Sequence, residues 1–140
     1  MADNIRQVMS NDPVTISVDA PVEEAARSMR DSDIGGVIVL DESDNICGIV
    51  TDRDIAVRVV AEGRDPSQTS VGDVCSKDPV TISPDTSIGE AVKLMSDKAI
   101  RRIPVVENGR PVGLVALGDL AVARDPESAL ADISAAPPNE

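Results

Sequence analysis

The chain repeats one sequence pattern twice, and this duplication limits the folds open to it more than any other feature. The segment DPVTIS at residues 12–17 returns at residues 78–83, a shift of 78 − 12 = 66. The segment GIVTDRD at residues 48–54 returns as GLVALGD at residues 113–119, where the shift is 119 − 54 = 65. One residue is therefore missing from the second copy between Ile100 and Gly113, most simply in a turn. Each copy is predicted to be one structural unit.

The sequence pattern of each copy predicts the order strand, helix, strand, strand, helix. Extended segments at residues 14–17 and 80–83 follow Asp-Pro pairs, and the residue before a proline favours extended geometry. Asp19 and Asp85 are expected to cap the next helices. Those helices carry an apolar stripe at helical spacing, made of Val22, Ala25, Ala26 and Met29 in the first copy and of Ile88, Ala91, Val92 and Met95 in the second.

A strand pair follows in each copy, at residues 37–40 with 46–51 and at residues 103–106 with 112–116. Asn108-Gly109 lies in the second turn and is typical of a tight hairpin. The second helices are predicted to begin near Asp52 or Asp54 and near Asp119. The resulting division is a first repeat over 1–62, a linker over 63–69, a second repeat over 70–124 with a short helical lead-in, and a tail over 125–140. Within the tail, residues 126–133 are expected to form a short helix and residues 135–140 to be disordered.

The composition limits the core and the partners. The 140 residues include no Phe, Trp or Tyr, so each half has a small aliphatic core, and we expect the two repeats to share one core. The formal net charge of −12 argues against nucleic acid and anionic membranes as partners, since both require a cationic surface. No apolar run approaches a membrane span, and no signal peptide is evident at the start. We therefore expect a cytoplasmic protein.

The residue types also argue against catalysis. The chain contains no histidine, which removes the commonest general base and metal ligand. Cys47 and Cys75 are isolated and form no CxxC pair, so we expect neither a metal site nor a redox site. No nucleophile–base pair and no P-loop are visible. The sequence predicts a protein that is not an enzyme and that requires no cofactor.

The order of elements, with Gly-x-x-Thr-x-x-Asp at the last strand-to-helix junction, resembles the cystathionine-β-synthase (CBS) domain. Two copies in tandem resemble a stand-alone Bateman module that extends over residues 5–124. The supporting motifs are the duplicated PVTIS, DIGGV at 33–37, TDRDI at 51–55 and RRIPV at 101–105. The resemblance implies an α+β fold of two CBS repeats, each strand-helix-strand-strand-helix, packed sheet to sheet with pseudo-twofold symmetry.

The resemblance also implies a function. Such modules are regulatory sensors that bind an adenosine-containing ligand (AMP, ADP, ATP, NAD or S-adenosylmethionine) in clefts between the two repeats. They commonly form homodimers and regulate a partner enzyme. The alternative is a dimeric interaction protein that has no ligand and acts on a partner enzyme. The sequence names neither the ligand nor the partner.

Within the first copy, the resemblance places a ribose on Asp54, assisted by Thr51. A carboxylate can accept hydrogen bonds from both ribose hydroxyls, and a helix start favours its negative charge. The open alternative is that Asp54 or Asp52 only caps its helix. Arg53 and Arg58 are candidates to serve the same site. Gly35 and Gly36, also site candidates, permit a close backbone approach.

The second copy keeps Asp119 but has Ala116 in place of the threonine. An alanine side chain donates no hydrogen bond, so the Asp54 site is expected to be the better one. By the resemblance, Arg101 and Arg102 would supply charge for a phosphate at the Asp119 site. The alternative is that they are exposed or paired at a dimer interface.

Thr15 and Thr81 complete the candidate site. By the resemblance, each threonine would contact the nucleotide that the opposite copy holds. Their alternative role is that of ordinary β-branched strand residues.

Overall fold

The computed structural model describes residues 3–124 and Ile133, and the chain divides into two compact units. Unit A contains residues 13–79, and unit B contains residues 1–12 together with residues 80–140. The lead-in segment of each sequence copy therefore belongs to the unit that holds the body of the other copy. Apart from Ile133, the short helix predicted over residues 126–133 lies outside the described residues, and so does the tail at 135–140.

The described elements follow one another in the order β1 (Ser10–Asn11), β2 (Thr15–Ser17), α1 (Val22–Ser32), β3 (Gly36–Leu40), β4 (Ile46–Thr51), α2 (Asp52–Ile55), α3 (Val71–Val74), β5 (Ser76–Lys77), α4 (Ile88–Lys98), β6 (Arg102–Glu107), β7 (Arg110–Ala116) and α5 (Leu117–Arg124). A 3₁₀-helix over Ile5–Gln7 precedes β1, and α2 continues as a π-helical segment over Ala56–Val60. Unit A has a four-stranded sheet in the order β2, β3, β4, β5, in which only β2 and β3 are parallel. Unit B has a three-stranded antiparallel sheet in the order β1, β7, β6. The α+β class is confirmed.

The predicted order of elements is confirmed in the first copy, and the second copy departs at its first strand. There the extended segment at residues 80–83 makes a single parallel bridge, between Ile82 and Val105. The turn at Asn108-Gly109 is a tight hairpin as predicted, with φ of 54° and 76° at the two residues. Helix α5 begins at Leu117, two residues earlier than the predicted start at Asp119.

Both predicted aspartate caps are wrong. Helix α1 follows Pro21, which makes no side-chain cap, and helix α4 is capped by Ser87, whose Oγ accepts a hydrogen bond from the Glu90 N–H at 3.1 Å. Both aspartates lie in turns, two residues before the N-cap residue of the helix. Each donates its own N–H to the hydroxyl of a serine two residues before it, at 3.2 Å in both cases.

Each unit has its own aliphatic core, and a lead-in segment from the other copy helps to fill it. In unit A, Val71 and Val74 of α3 are fully buried, and in unit B Ile5 of the 3₁₀-helix is fully buried. Helices α1 and α4 bury the predicted stripe, except that Ala26 is exposed and Val92 is only half-buried. Each lead-in segment thus adds apolar side chains to the core of its unit, and the expectation of one core shared by both repeats stays a prediction.

The repeated motif glycines allow these lead-in segments to pack closely on the sheets. A Cβ atom on Gly48 would lie 2.7 Å from the Ser76 carbonyl oxygen and 2.8 Å from the Cys75 Sγ. A Cβ atom on Gly113 would lie 2.8 Å from the Ser10 carbonyl oxygen. Real Cβ contacts essentially never fall below 3.0 Å, so any side chain at these positions would push the lead-in strand away.

Replacing Gly48 should therefore destabilise the protein. We expect Gly48→Ala to lower the free energy of unfolding by about 1–3 kcal/mol, the usual cost of overpacking. The matched control is Gly89→Ala in helix α4, where the nearest atom would lie 3.6 Å from the new Cβ. That change should raise stability by roughly 0.5–1 kcal/mol, because alanine is the better helix former. Urea unfolding of the three proteins measures both effects, and equal stabilities for wild type and Gly48→Ala would contradict the close approach.

Candidate functional site

Thr51 and Asp54 hold each other through two reciprocal hydrogen bonds at the junction of β4 and α2. The Thr51 N–H donates to Asp54 Oδ2 at 2.9 Å, and the Asp54 N–H donates to Thr51 Oγ1 at 3.1 Å. This arrangement is a capping box with Thr51 as the N-cap residue. The capping alternative is therefore real, although the cap residue is Thr51 and Asp54 is its reciprocal partner.

The Asp54 side chain is nearly buried, with 12% of its surface exposed, and it faces Arg58. An Arg58 nitrogen lies 3.8 Å from Asp54 Oδ1, and the same nitrogen donates a hydrogen bond to the Val74 carbonyl oxygen at 2.8 Å. The Arg58 side chain is itself 49% exposed. The π-helical segment thus presents a cation to the aspartate, and the last residue of α3 fixes that cation in place.

Gly35 and Gly36 lie beside this pair. Gly36 is the direct antiparallel partner of Thr51, and the Gly35 carbonyl accepts the Asp52 N–H at 3.1 Å. Arg53 is exposed and makes no ion pair with any residue in the described part of the chain. Of the residues predicted for the first site, the structure brings together Thr51, Asp54, Arg58, Gly35 and Gly36, whereas the Arg53 side chain lies on the solvent side of α2.

The second copy keeps part of this geometry in unit B. The Ala116 N–H donates to Asp119 Oδ2 at 2.8 Å, which repeats the bond between Thr51 and Asp54. Ala116 offers no hydroxyl in return, and within residues 3–124 no lysine or arginine forms an ion pair with Asp119. Burial raises the pKa of the Asp119 carboxyl, and the bond from Ala116 opposes only part of that increase.

Arg101 and Arg102 occupy different surroundings in unit B. Arg102 is half-buried and pairs directly with Ala116 across strands β6 and β7, which places it beside the residue that binds Asp119. The exposed Arg101 accepts the Leu117 N–H on its carbonyl oxygen at 2.8 Å. Its side chain lines a cavity of about 450 Å³ between α4 and α5, together with apolar residues such as Leu117 and Leu120.

Thr15 and Thr81 are exposed strand or bridge-adjacent residues. Thr15 pairs with Ile38 in the parallel part of the unit A sheet, and Thr81 precedes the bridge residue Ile82 in unit B. Their proposed contacts with a nucleotide remain predictions.

Sequence reasoning missed the partner of Arg58. The Val74 carbonyl belongs to the lead-in of the second copy, 74 − 58 = 16 residues further along the chain. The sequence signal for that segment is the repeat of residues 4–9 at residues 70–75. This repeat does not indicate which residue the segment contacts. A second cavity was also missed, of about 290 Å³ in unit A, which both Cys47 and Cys75 line.

The described residues were searched for metal-ligand groups and for membrane-spanning helices. Among the described residues, no three His, Cys, Asp or Glu side chains lie together as a metal-ligand group. None of the helices described here is long and apolar enough to cross a membrane.

Comparison with known proteins identifies the family. The model of the CBS domain matches residues 5–61 and 71–125. The CBS domain-containing protein YhcV of Bacillus subtilis is 40% identical over 119 residues, which cover 85% of this chain and 84% of YhcV. A protein of Methanopyrus kandleri is 37% identical over 118 residues, which are 84% of this chain and 60% of that protein. The crystal structure of a CBS-domain protein from Agrobacterium tumefaciens has a TM-score of 0.79 at 31% identity and covers 89% of this chain and 95% of that one. The chain belongs to the CBS-domain family and carries the domain twice.

Replacing Asp54 and Asp119 by asparagine should change the free energy of unfolding in opposite directions. Because burial raises the pKa of Asp119, the native state binds its proton more tightly than the unfolded chain does. The stability due to this group therefore falls as the pH rises from the ordinary pKa of 3.8 through the raised value.

We expect Asp119→Asn to raise the free energy of unfolding at pH 7, by no more than about 1 kcal/mol because the group is partly solvated. Asparagine can still accept the Ala116 N–H. The matched variant Asp54→Asn should lower stability, since it removes a charge that faces Arg58. Urea unfolding at pH 7 and pH 5 measures both, and the gain from Asp119→Asn should shrink at pH 5. Equal losses for the two variants would contradict this account.

Proposed function

We propose that this CBS-domain pair is a regulatory sensor that binds an adenosine-containing ligand of the AMP, ADP, ATP, NAD or S-adenosylmethionine class. The observation that carries the proposal is the pair of reciprocal hydrogen bonds between Thr51 and Asp54. Those bonds hold a nearly buried carboxylate at a helix start, with one oxygen free of any short hydrogen bond in the described structure. We assign no catalytic residue and no required cofactor.

Capping and ligand binding are compatible at Asp54. A carboxylate has about four lone-pair positions, and the Thr51 N–H uses one of them on Oδ2. Oδ1 faces Arg58 at 3.8 Å, a distance too long for a hydrogen bond. The two ribose hydroxyls could therefore donate to the remaining positions. The Thr51 hydroxyl accepts the Asp54 N–H on its oxygen, so its own hydrogen is available for the ligand.

The Asp119 site of unit B is proposed as the weaker site. It lacks the threonine hydroxyl, and the raised pKa of Asp119 makes its charged form less favourable. Arg102 offers partial compensation for an anionic ligand, because its strand position places it next to Ala116.

A second role, as a dimeric interaction protein, is favoured by exposed apolar side chains on the second helix of each copy. Val57 and Val122 are equivalent positions, since 57 + 65 = 122, and they are 45% and 37% exposed. Val60 and Leu117 on the same helices are 69% and 42% exposed. We propose that these helices pack against a second copy of the chain. A homodimer is compatible with both the sensor role and the interaction role. In either role the dimer would act on a partner enzyme.

Removing the Asp54 carboxylate should weaken ligand binding most. Hydrogen bonds to a charged acceptor contribute roughly 1.5–3 kcal/mol each, so Asp54→Ala should raise the dissociation constant at least about tenfold. Asp119→Ala is the matched variant and should have the smaller effect. Calorimetric titration of the three proteins with AMP, ATP and S-adenosylmethionine measures this. If Asp119→Ala abolishes binding while Asp54→Ala leaves it intact, the ranking of the sites is wrong. If the wild type binds none of the ligands at millimolar concentration, the interaction role becomes the better account.

Charges on the exposed valines should break the dimer. Val57→Asp combined with Val122→Asp places a carboxylate on each proposed contact helix, and desolvating those charges opposes association. The matched control is Ala26→Asp on the exposed side of α1. Sedimentation at tens of micromolar protein should show a dimer for wild type and for the control, and the 14.6 kDa monomer for the double variant. A monomeric wild type would overturn the dimer proposal.

A further inference from the structure

We propose that Arg58 sets the charge of the ligand that the Asp54 site accepts, favouring adenosine ligands that carry a negative phosphate over those that carry a positive charge. The inference rests on the proposed function, because it concerns the same site. It assigns Arg58 as a specificity-determining residue, in contrast to Arg53, which forms no ion pair with Asp54 in the described structure.

The net charge around Asp54 affects which ligands the site accepts. A nearly buried carboxylate repels a second anion, and this repulsion is strong where water is partly excluded. An adenosine phosphate that placed its ribose on Asp54 would bring its phosphate one sugar ring away from that carboxylate. Arg58 has a nitrogen 3.8 Å from Asp54 Oδ1, so it offsets the negative charge from within the site. Without Arg58, the same carboxylate would favour a cationic ligand such as a sulfonium.

Arg58 is held in place and still has donors to offer. Its bond to the Val74 carbonyl, at 2.8 Å, satisfies a carbonyl at the end of helix α3 that has no helical partner. A guanidinium has five N–H donors, and this bond uses one of them. The side chain is 49% exposed, so the remaining donors are within reach of a ligand phosphate, and Arg58 loses little freedom on binding it.

The backbone around Arg58 is irregular. Arg58 lies inside the π-helical segment Ala56–Val60, where the Ala61 N–H bonds to the Ala56 carbonyl at 2.9 Å. Single π turns inside helices occur frequently at functional sites. The equivalent helix of the second copy, α5, is a regular α-helix over Leu117–Arg124. The irregular turn thus occurs in the copy that keeps both the threonine and the arginine.

The two copies carry their arginines at different positions. Arg58 corresponds to Ala123, since 58 + 65 = 123, and Gly36 corresponds to Arg102, since 36 + 66 = 102. Each copy therefore carries an arginine at a position where the other copy has none: Arg58 faces Asp54 in unit A, and Arg102 is the strand partner of Ala116 in unit B. In unit A the cation comes from the helix that carries Asp54, and in unit B from strand β6 opposite Ala116. The contact between Arg58 and Asp54 is therefore a feature of the first copy, since the equivalent position of the second copy is Ala123.

The test compares three ligands that share the adenosine group and differ in charge: neutral adenosine, anionic AMP and cationic S-adenosylmethionine. Calorimetry gives the dissociation constants for the full-length wild type and for Arg58→Gln, Arg58→Lys and Arg64→Gln. Glutamine keeps an N–H donor but carries no charge, and lysine keeps the charge. Arg64→Gln removes an equal charge from an exposed pair with Asp73 in the same unit and is the matched control.

We expect Arg58→Gln to weaken AMP about tenfold relative to adenosine, which corresponds to about 1.4 kcal/mol. Its affinity for S-adenosylmethionine should stay the same or rise. Arg58→Lys should keep most of the preference for AMP, and Arg64→Gln should keep all of it. The ratio between ligands is the decisive quantity, because a purely structural role would change all three affinities together.

Two results would overturn the inference, and they can be told apart. If Arg58→Gln weakens adenosine, AMP and S-adenosylmethionine equally, Arg58 only supports the fold and the proposed function stands. If the wild type binds none of the three ligands at millimolar concentration, the proposed function fails and this inference fails with it.

Discussion

The close approach of each lead-in segment to a motif glycine is the contact on which the rest of this fold depends. Gly48 leaves room for Cys75 and Ser76 against strand β4, and Gly113 does the same for Ser10 against β7. The lead-in helices then fill cores that contain no aromatic side chain. In unit A the same contact brings the Val74 carbonyl within reach of Arg58. Core filling and site assembly therefore follow from one steric requirement.

The site uses the chemistry of a helix start for two purposes. Thr51 and Asp54 satisfy each other's backbone N–H groups, so the helix has its cap, and the carboxylate is left rigid and nearly buried. Such a group is costly unless a partner offsets its charge, and Arg58 does this in unit A. Asp119 in unit B has no such partner among the described residues, and burial raises the pKa of its carboxyl. The duplicated sequence thus yields two unequal candidate sites.

Much of this was predictable from the sequence, because duplication and periodicity report local structure. The shift of 65 to 66 residues gave the order of elements, and Asn108-Gly109 gave a hairpin. The caps predicted for helices α1 and α4 were wrong, because Asp19 and Asp85 lie in turns, and the side-chain cap of α4 comes from Ser87. The π turn at Arg58 and its bond to Val74 depend on tertiary packing. No local sequence pattern encodes that packing, so this part of the candidate site could not be predicted from the sequence.

If the ligand binds at Asp54, the backbone amides around that residue should change their chemical shifts when the ligand is added. An isotope-labelled full chain would be titrated with AMP while the backbone amide signals are followed. The account predicts that the largest changes fall on Thr51, Asp54, Arg58 and the two glycines, Gly35 and Gly36, with smaller changes around Asp119. Changes confined to unit B, or to the cavity between α4 and α5, would contradict it.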